Sequence, residues 1–136
     1  MMVGLDTSIV VRLLTLDPPD LASRAMNYLQ ERQTAGDSVY VSDWVLAETY
    51  YALQHHYGVP KKEALGALRQ FTASPGVRTS ETATTVLALA GLESARPGFI
   101  DRLIHRQYLQ EGVSEVATFE RSARKLPHVR VLDAGE

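Results

Sequence analysis

The stretch Val3-Gly4-Leu5-Asp6-Thr7-Ser8-Ile9-Val10-Val11 decides how the chain is read. A short apolar run stops at a carboxylate, and a Thr-Ser pair leads at once into a second apolar pattern. In a sheet built of parallel strands, ligands bind where the strands deliver their carboxyl ends. A carboxylate at that point with no basic neighbour beside it is costly to place unless something positive meets it. Asp6 is therefore a candidate first ligand of a cation, with helix capping as its ordinary alternative.

Working outward from this strand at residues 2–5, the chain alternates short β-branched runs with amphipathic ones. Helices are expected over 9–16, 20–34, 43–57, 61–73, 81–94, 99–110 and, short and basic, 120–126. Strands are expected over 38–42, 77–79, 115–119 and 129–132. Pro18 and Pro19 can open a helix, where a missing N–H does no harm, and Gly36, Gly58 and Gly112 stand where helices end. This alternation predicts an α/β domain: a central, mainly parallel sheet of about four or five short strands with helices on both faces, spanning 1–136 as a single domain.

With 136 residues, 45% hydrophobic and 22% charged, the chain has the composition of a soluble globular domain. It lacks cysteine, which excludes a disulfide framework, a thiolate nucleophile and a Cys-based zinc site, and suits a reducing cytoplasm. No basic leader precedes the first strand, so no signal peptide is expected. No apolar run approaches the roughly 18–20 residues that span a bilayer, so no membrane association is expected.

Three more carboxylates stand in awkward places. Glu48 has Trp44, Val45, Tyr51 and Ala52 at helical spacing, so it falls inside an apolar stripe, where a snorkelling surface glutamate or a pair with a buried arginine would also account for it. Asp101 opens a helix between Ile100 and Leu103, where the helix dipole or an i+4 pair with His105 would also account for it. Glu120 directly follows the strand ending at Phe119, with the Thr118 hydroxyl nearby as a donor. Parallel strands would deliver such positions to one edge of the sheet, where four carboxylates repel one another without a cation. An all-oxygen donor set favours Mg²⁺ or Mn²⁺ over zinc.

The series Asp6-Thr7-Ser8, Val45-Leu46-Ala47-Glu48, Phe99-Ile100-Asp101-Arg102-Leu103-Ile104 and Thr118-Phe119-Glu120 resembles the PIN domain, and within it the VapC-like toxins of toxin–antitoxin pairs. The resemblance runs over essentially the whole chain. It implies a PIN-like α/β/α sandwich and a Mg²⁺- or Mn²⁺-dependent ribonuclease whose products carry 5′-phosphate and 3′-hydroxyl ends. It further implies a small antitoxin that occludes the site, and a homodimer. Asp6, Glu48, Asp101 and Glu120 carry over as catalytic metal ligands, with Thr7 and Thr118 in support. The family pattern has aspartate after the Thr-Phe pair, so Glu120 departs from it by one methylene.

Setting the four acids aside changes the net charge from −2 to +2. Arg102, Arg106, Arg121, Arg124, Lys125 and Arg130 then offer an approach for phosphates, or simply a solvated basic face. His55 and His56, adjacent on one helix, point different ways and read as helix-end polar residues. Core packing accounts for most of Leu13, Leu14, Leu16, Tyr28, Trp44, Tyr50, Tyr51 and Tyr57, and the surplus of tyrosines suggests that an antitoxin helix docks among the helices of 9–57 and sets a basic side chain near Asp6. A receiver-type signalling domain is the rival from another class. It would need an acidic pair after the first strand, a phosphoacceptor aspartate after a middle one and a lysine after the last, whereas Asp6 is followed by Thr7-Ser8, Ser42 precedes Asp43 and no lysine follows 129–132. A PIN-like module that binds RNA or protein without cleaving is the second alternative.

Overall fold

A computed structural model describes residues 1–132 of the chain, so 133–136 of the predicted 1–136 domain lie outside the described residues. Five strands and six α-helices appear in the order expected: β1 (Met2–Gly4), α1 (Thr7–Thr15), α2 (Pro19–Thr34), β2 (Ser38–Tyr40), α3 (Asp43–His55), α4 (Lys61–Thr72), β3 (Val77–Arg78), α5 (Glu81–Leu87), α6 (Phe99–Gln110), β4 (Val116–Thr118) and β5 (Val129–Val131). The α/β class with parallel strands is thus what the chain forms. The strands pair in two ladders, one of three and one of two. The chain divides accordingly into two compact units, Met1–Glu81 and Thr82–Glu136.

In the first unit β2 is the middle strand, pairing Val3 with Val39 on one side and Val39 with Val77 on the other. Val39 and Val41 are fully buried, as a strand flanked on both edges requires. Helix α1 presents Val10 and Val11 to the interior, α3 presents Leu46, Tyr50 and Leu53, and α4 presents Leu65, Leu68 and Phe71. The helices begin where their sequences say they should. Ser42 Oγ accepts the Val45 N–H at the start of α3, and Pro19 is the first residue of α2. The Ser80 hydroxyl donates to Asp43, tying the exit of β3 to the first turn of α3.

In the second unit β4 and β5 pair in parallel, Val116 with Val129 and Thr118 with Val131. Phe99 and Leu103 are the buried residues of α6 that face its apolar interior. Two expected helices are corrected here. The helix drawn over 81–94 ends at Leu87, and a single 3₁₀ turn follows at Leu92–Ser94. The threonines at 82, 84 and 85 are weak helix formers, and Gly91 takes a left-handed φ of 71° that no continuous helix accommodates. The helix drawn over 120–126 is a 3₁₀ segment, Arg121–Lys125, with Glu120 outside it as its cap. In contrast, α1 starts two residues earlier than expected, so Thr7 and Ser8 lie in its first turn. No helix among the described residues is long and apolar enough to cross a membrane.

Candidate active site

Asp6 stands one residue beyond the pairing of β1 with β2, where the Leu5 N–H still donates to the Tyr40 carbonyl. Its extended backbone makes it the N-cap of α1. Oδ2 accepts the Ser8 hydroxyl at 2.8 Å and the Ser8 N–H at 3.4 Å. Those bonds, the hydroxyl first, hold the carboxyl below the ordinary aspartate range and keep it ionised. The capping role and the exposed anionic role therefore coexist in one side chain.

Glu48 is tied to the same turn. Thr7 Oγ1 donates to Glu48 Oε1 at 3.0 Å, across 41 positions of sequence. Thr7 thus supports Glu48, while Ser8, which the sequence reading left unassigned, supports Asp6. The apolar stripe on which Glu48 falls faces solvent, in line with the surface alternative for this residue. The core face of α3 is Leu46, Thr49, Tyr50 and Leu53, and Glu48 lies on the opposite, exposed face. Its helical neighbours Trp44 and Tyr51 are exposed too, by 78% and 57%. The anomaly is therefore a carboxylate flanked by exposed aromatic rings.

The second unit repeats the arrangement of the first. Glu120 follows β4 as Asp6 follows β1, and it caps the turn after it. Glu120 Oε1 accepts the Ser122 hydroxyl at 2.8 Å and the Ser122 N–H at 3.1 Å. Again the serine hydroxyl is the first cause that lowers the carboxyl's pKa, with the charge of Arg96 a smaller contribution. The longer glutamate makes the same acid-x-Ser clasp as Asp6. Thr118 Oγ1 accepts the Glu120 N–H at 3.0 Å, so it braces the backbone. The acid-x-Ser pattern after a strand was the legible signal for Ser8 and Ser122.

Asp101 lies exposed in the first turn of α6, and it lines with Glu120 and Thr118 a pocket of about 240 Å³. Ile104 and Tyr108, each close to half exposed, line the same pocket. His105 does not pair with Asp101. It is buried, with Nε2 2.8 Å from the Pro127 carbonyl oxygen. Arg102 is also engaged within the fold, its Nε donating to the Pro97 carbonyl at 2.7 Å. Arg121, Arg124, Lys125 and Arg130 are exposed.

The acids thus come in two pairs, Asp6 with Glu48 and Asp101 with Glu120, one in each unit. Among the described residues no group of three or more His, Cys, Asp or Glu side chains forms a metal site. The donor chemistry suits a hard divalent cation: all four groups are carboxylates, exposed, and two are held ionised by serine hydroxyls.

The PIN domain family matches residues 3–129 of the chain, and the protein belongs to that family. No curated protein sequence gives a significant match. Among solved structures the chain is similar to VapBC2 from Rickettsia felis bound to a DNA fragment from its promoter, at 19% identity and a TM-score of 0.44, covering 98% of each chain. It is also similar to VapC20 of Mycobacterium tuberculosis, a sarcin-ricin loop cleaving toxin, at 19% identity and a TM-score of 0.37, covering 91% of this chain and 92% of that one.

Proposed function

We propose that the protein is a metal-dependent endoribonuclease of the VapC type, working in the cytoplasm as the toxin of a toxin–antitoxin pair. The observation that carries this reading is the repeated clasp at Asp6 and Glu120: each carboxylate lies two residues past a parallel strand and accepts the hydroxyl and N–H of a serine two residues on, which lower its pKa. Membership of the PIN domain family supports it and sets aside the receiver-type alternative.

In this reading Asp6, Glu48, Asp101 and Glu120 hold Mg²⁺ or Mn²⁺. When bound, the cation offsets charge on the scissile phosphate and makes its water a stronger nucleophile. The chain's own residues then have separable tasks. Ser8 and Ser122 keep Asp6 and Glu120 ionised. Thr7 fixes the carboxylate of Glu48, and Thr118 fixes the backbone from which Glu120 projects. Hydrolysis leaves a 5′-phosphate and a 3′-hydroxyl.

A small antitoxin and a second copy of the chain are the protein partners. Leu16, Trp44, Tyr51 and Tyr57 support this, being exposed by 38% or more on or just beyond the helices where partner contacts are expected. A basic antitoxin side chain beside Asp6 would compete with the cation. The test is cleavage of labelled RNA by purified protein with Mn²⁺, with end-group analysis. Cleavage that stops with chelator and resumes on adding Mn²⁺ is expected. RNA binding without metal-dependent cleavage would instead favour the non-cleaving PIN-like module. Mapping 5′ ends in cells expressing wild type against Asp6→Asn would identify the RNA target.

A further inference from the structure

Between α1 and α2 runs a groove of about 400 Å³ that none of the four acids lines. One wall is Ser8, Ile9 and Arg12 of α1. The other is Leu21, Arg24, Ala25 and Tyr28, a single stripe of α2 at helical spacing. Two guanidinium groups thus face a groove whose lining contains no acid. Among the described residues neither Arg12 nor Arg24 has an ion pair or hydrogen bond to its side chain. Nearby arginines are treated differently: Arg32, one turn beyond Tyr28, is paired with Asp37 at 3.0 Å.

The groove opens beside the proposed catalytic carboxylate. Ser8, which lines it, is the residue whose hydroxyl bonds Asp6. Two unpaired cations about an apolar floor disfavour a basic segment within the groove itself and attract an anion with a flat apolar part. A nucleotide has both features. Tyr28 supplies a ring that is 41% exposed; the Arg32 guanidinium lies over it at 5.7 Å from the centroid, so a base would stack on the ring's other face.

We propose that the α1–α2 groove seats a nucleotide flanking the scissile bond, with Arg12 and Arg24 on its phosphate and Tyr28 against its base. The inference rests on the reading of the protein as an RNA-cleaving enzyme. It assigns RNA rather than antitoxin to this groove.

Two assays keep the inference separate from that reading. One is wild-type cleavage of single-stranded RNA with Mn²⁺. The other is equilibrium binding of a fluorescent single-stranded RNA of about 12 nucleotides, long enough to pass beyond one site. Binding uses Asp6→Asn as the background, so that it is read without cleavage. On that background Arg12→Gln with Arg24→Gln is expected to weaken binding about tenfold and to flatten its salt dependence by about 1 to 1.5 in the log–log slope, as loss of up to two phosphate contacts on a single strand requires. Tyr28→Leu is expected to weaken binding severalfold, and Tyr28→Phe to restore it. In the cleaving enzyme the arginine pair raises KM about tenfold while kcat falls less than threefold. Lys61→Gln with Lys62→Gln removes the same charge from α4 and serves as the control for general electrostatics. Equal weakening by both pairs overturns the inference. So does an arginine variant that binds RNA normally and loses a co-purified small protein partner, since the groove is then a protein-docking surface. If the wild type cleaves nothing, the reading as a nuclease fails, and the binding assay still decides whether the groove takes RNA.

Discussion

The hydrogen bond from Thr7 Oγ1 to Glu48 Oε1 ties Glu48 to the residue that follows Asp6, and it can be removed without changing side-chain shape. Thr7→Val keeps the β-branched volume and the first helical position of α1 while deleting the donor. At 3.0 Å the geometry is good, and the acceptor is charged, which in a protected site would be worth roughly 1.5–3 kcal/mol. Glu48 is exposed, however, and water replaces the lost donor, so the expected loss is about 0.5–1 kcal/mol. That corresponds to a fall in Tm of about 2–4 °C for a chain of this size. Urea unfolding of wild type, Thr7→Val, Glu48→Gln and the double variant measures the coupling directly. A coupling of about 0.5 kcal/mol or more is expected. In the cleavage assay, Thr7→Val is expected to slow turnover up to about fivefold, the kinetic equivalent of about 1 kcal/mol of lost orientation, and Thr7→Ser to recover most of it. Zero coupling, together with Thr7→Ser and Thr7→Val behaving alike, would refute the assignment of Thr7 as the residue that positions Glu48.

Leu46 is fully buried two residues before Glu48, so Leu46→Ala is expected to cost about 2–5 kcal/mol, read as a large drop in the urea midpoint. Asp37 is held below the ordinary aspartate range by the N-terminal ammonium, with Arg32 adding to it. Its depressed pKa contributes stability above the unfolded-state value of 3.8 that is lost as pH falls through the lower folded value. Asp37→Asn should therefore be less stable than wild type near neutral pH, with the gap closing in acid when thermal melts are compared across pH. Glu120→Gln is expected to reduce cleavage about 10- to 100-fold, the usual range for altering a group that tunes a metal site. Glu120→Asp, which restores the family's residue, should stay within several-fold of wild type in the same assay.

The element order was legible because proline, glycine and serine punctuate it. Ser42 caps α3 and Pro19 opens α2 where the sequence placed those starts. The break in the 81–94 helix was less legible, since apolar residues continue at helical spacing through Leu92 while Gly91 turns left-handed. Which way the apolar stripe around Glu48 faces was not legible. Trp44 and Tyr51 mark an apolar stripe of α3 in the sequence, but the stripe that packs inward is Leu46, Thr49, Tyr50 and Leu53. Hydrophobic side chains on an exposed face look the same in sequence as those of a core, and only packing separates them. Asp6 and Glu120 were found from the ends of strands, and Glu48 and Asp101 from their places on helices. The serines that bond Asp6 and Glu120 were legible only as an acid-x-Ser pattern, which is also an ordinary helix start and so singles out no role by itself.

That double meaning of Asp6 gives the most direct test of the account. Asparagine caps a helix about as well as aspartate, so Asp6→Asn should keep α1 capped while removing the negative charge. Cleavage of single-stranded RNA with Mn²⁺ by wild type and Asp6→Asn, compared at matched thermal stability, isolates the chemical role. The account predicts that Asp6→Asn folds as the wild type does and loses cleavage by at least about 100-fold. Equal cleavage by the two proteins would contradict it.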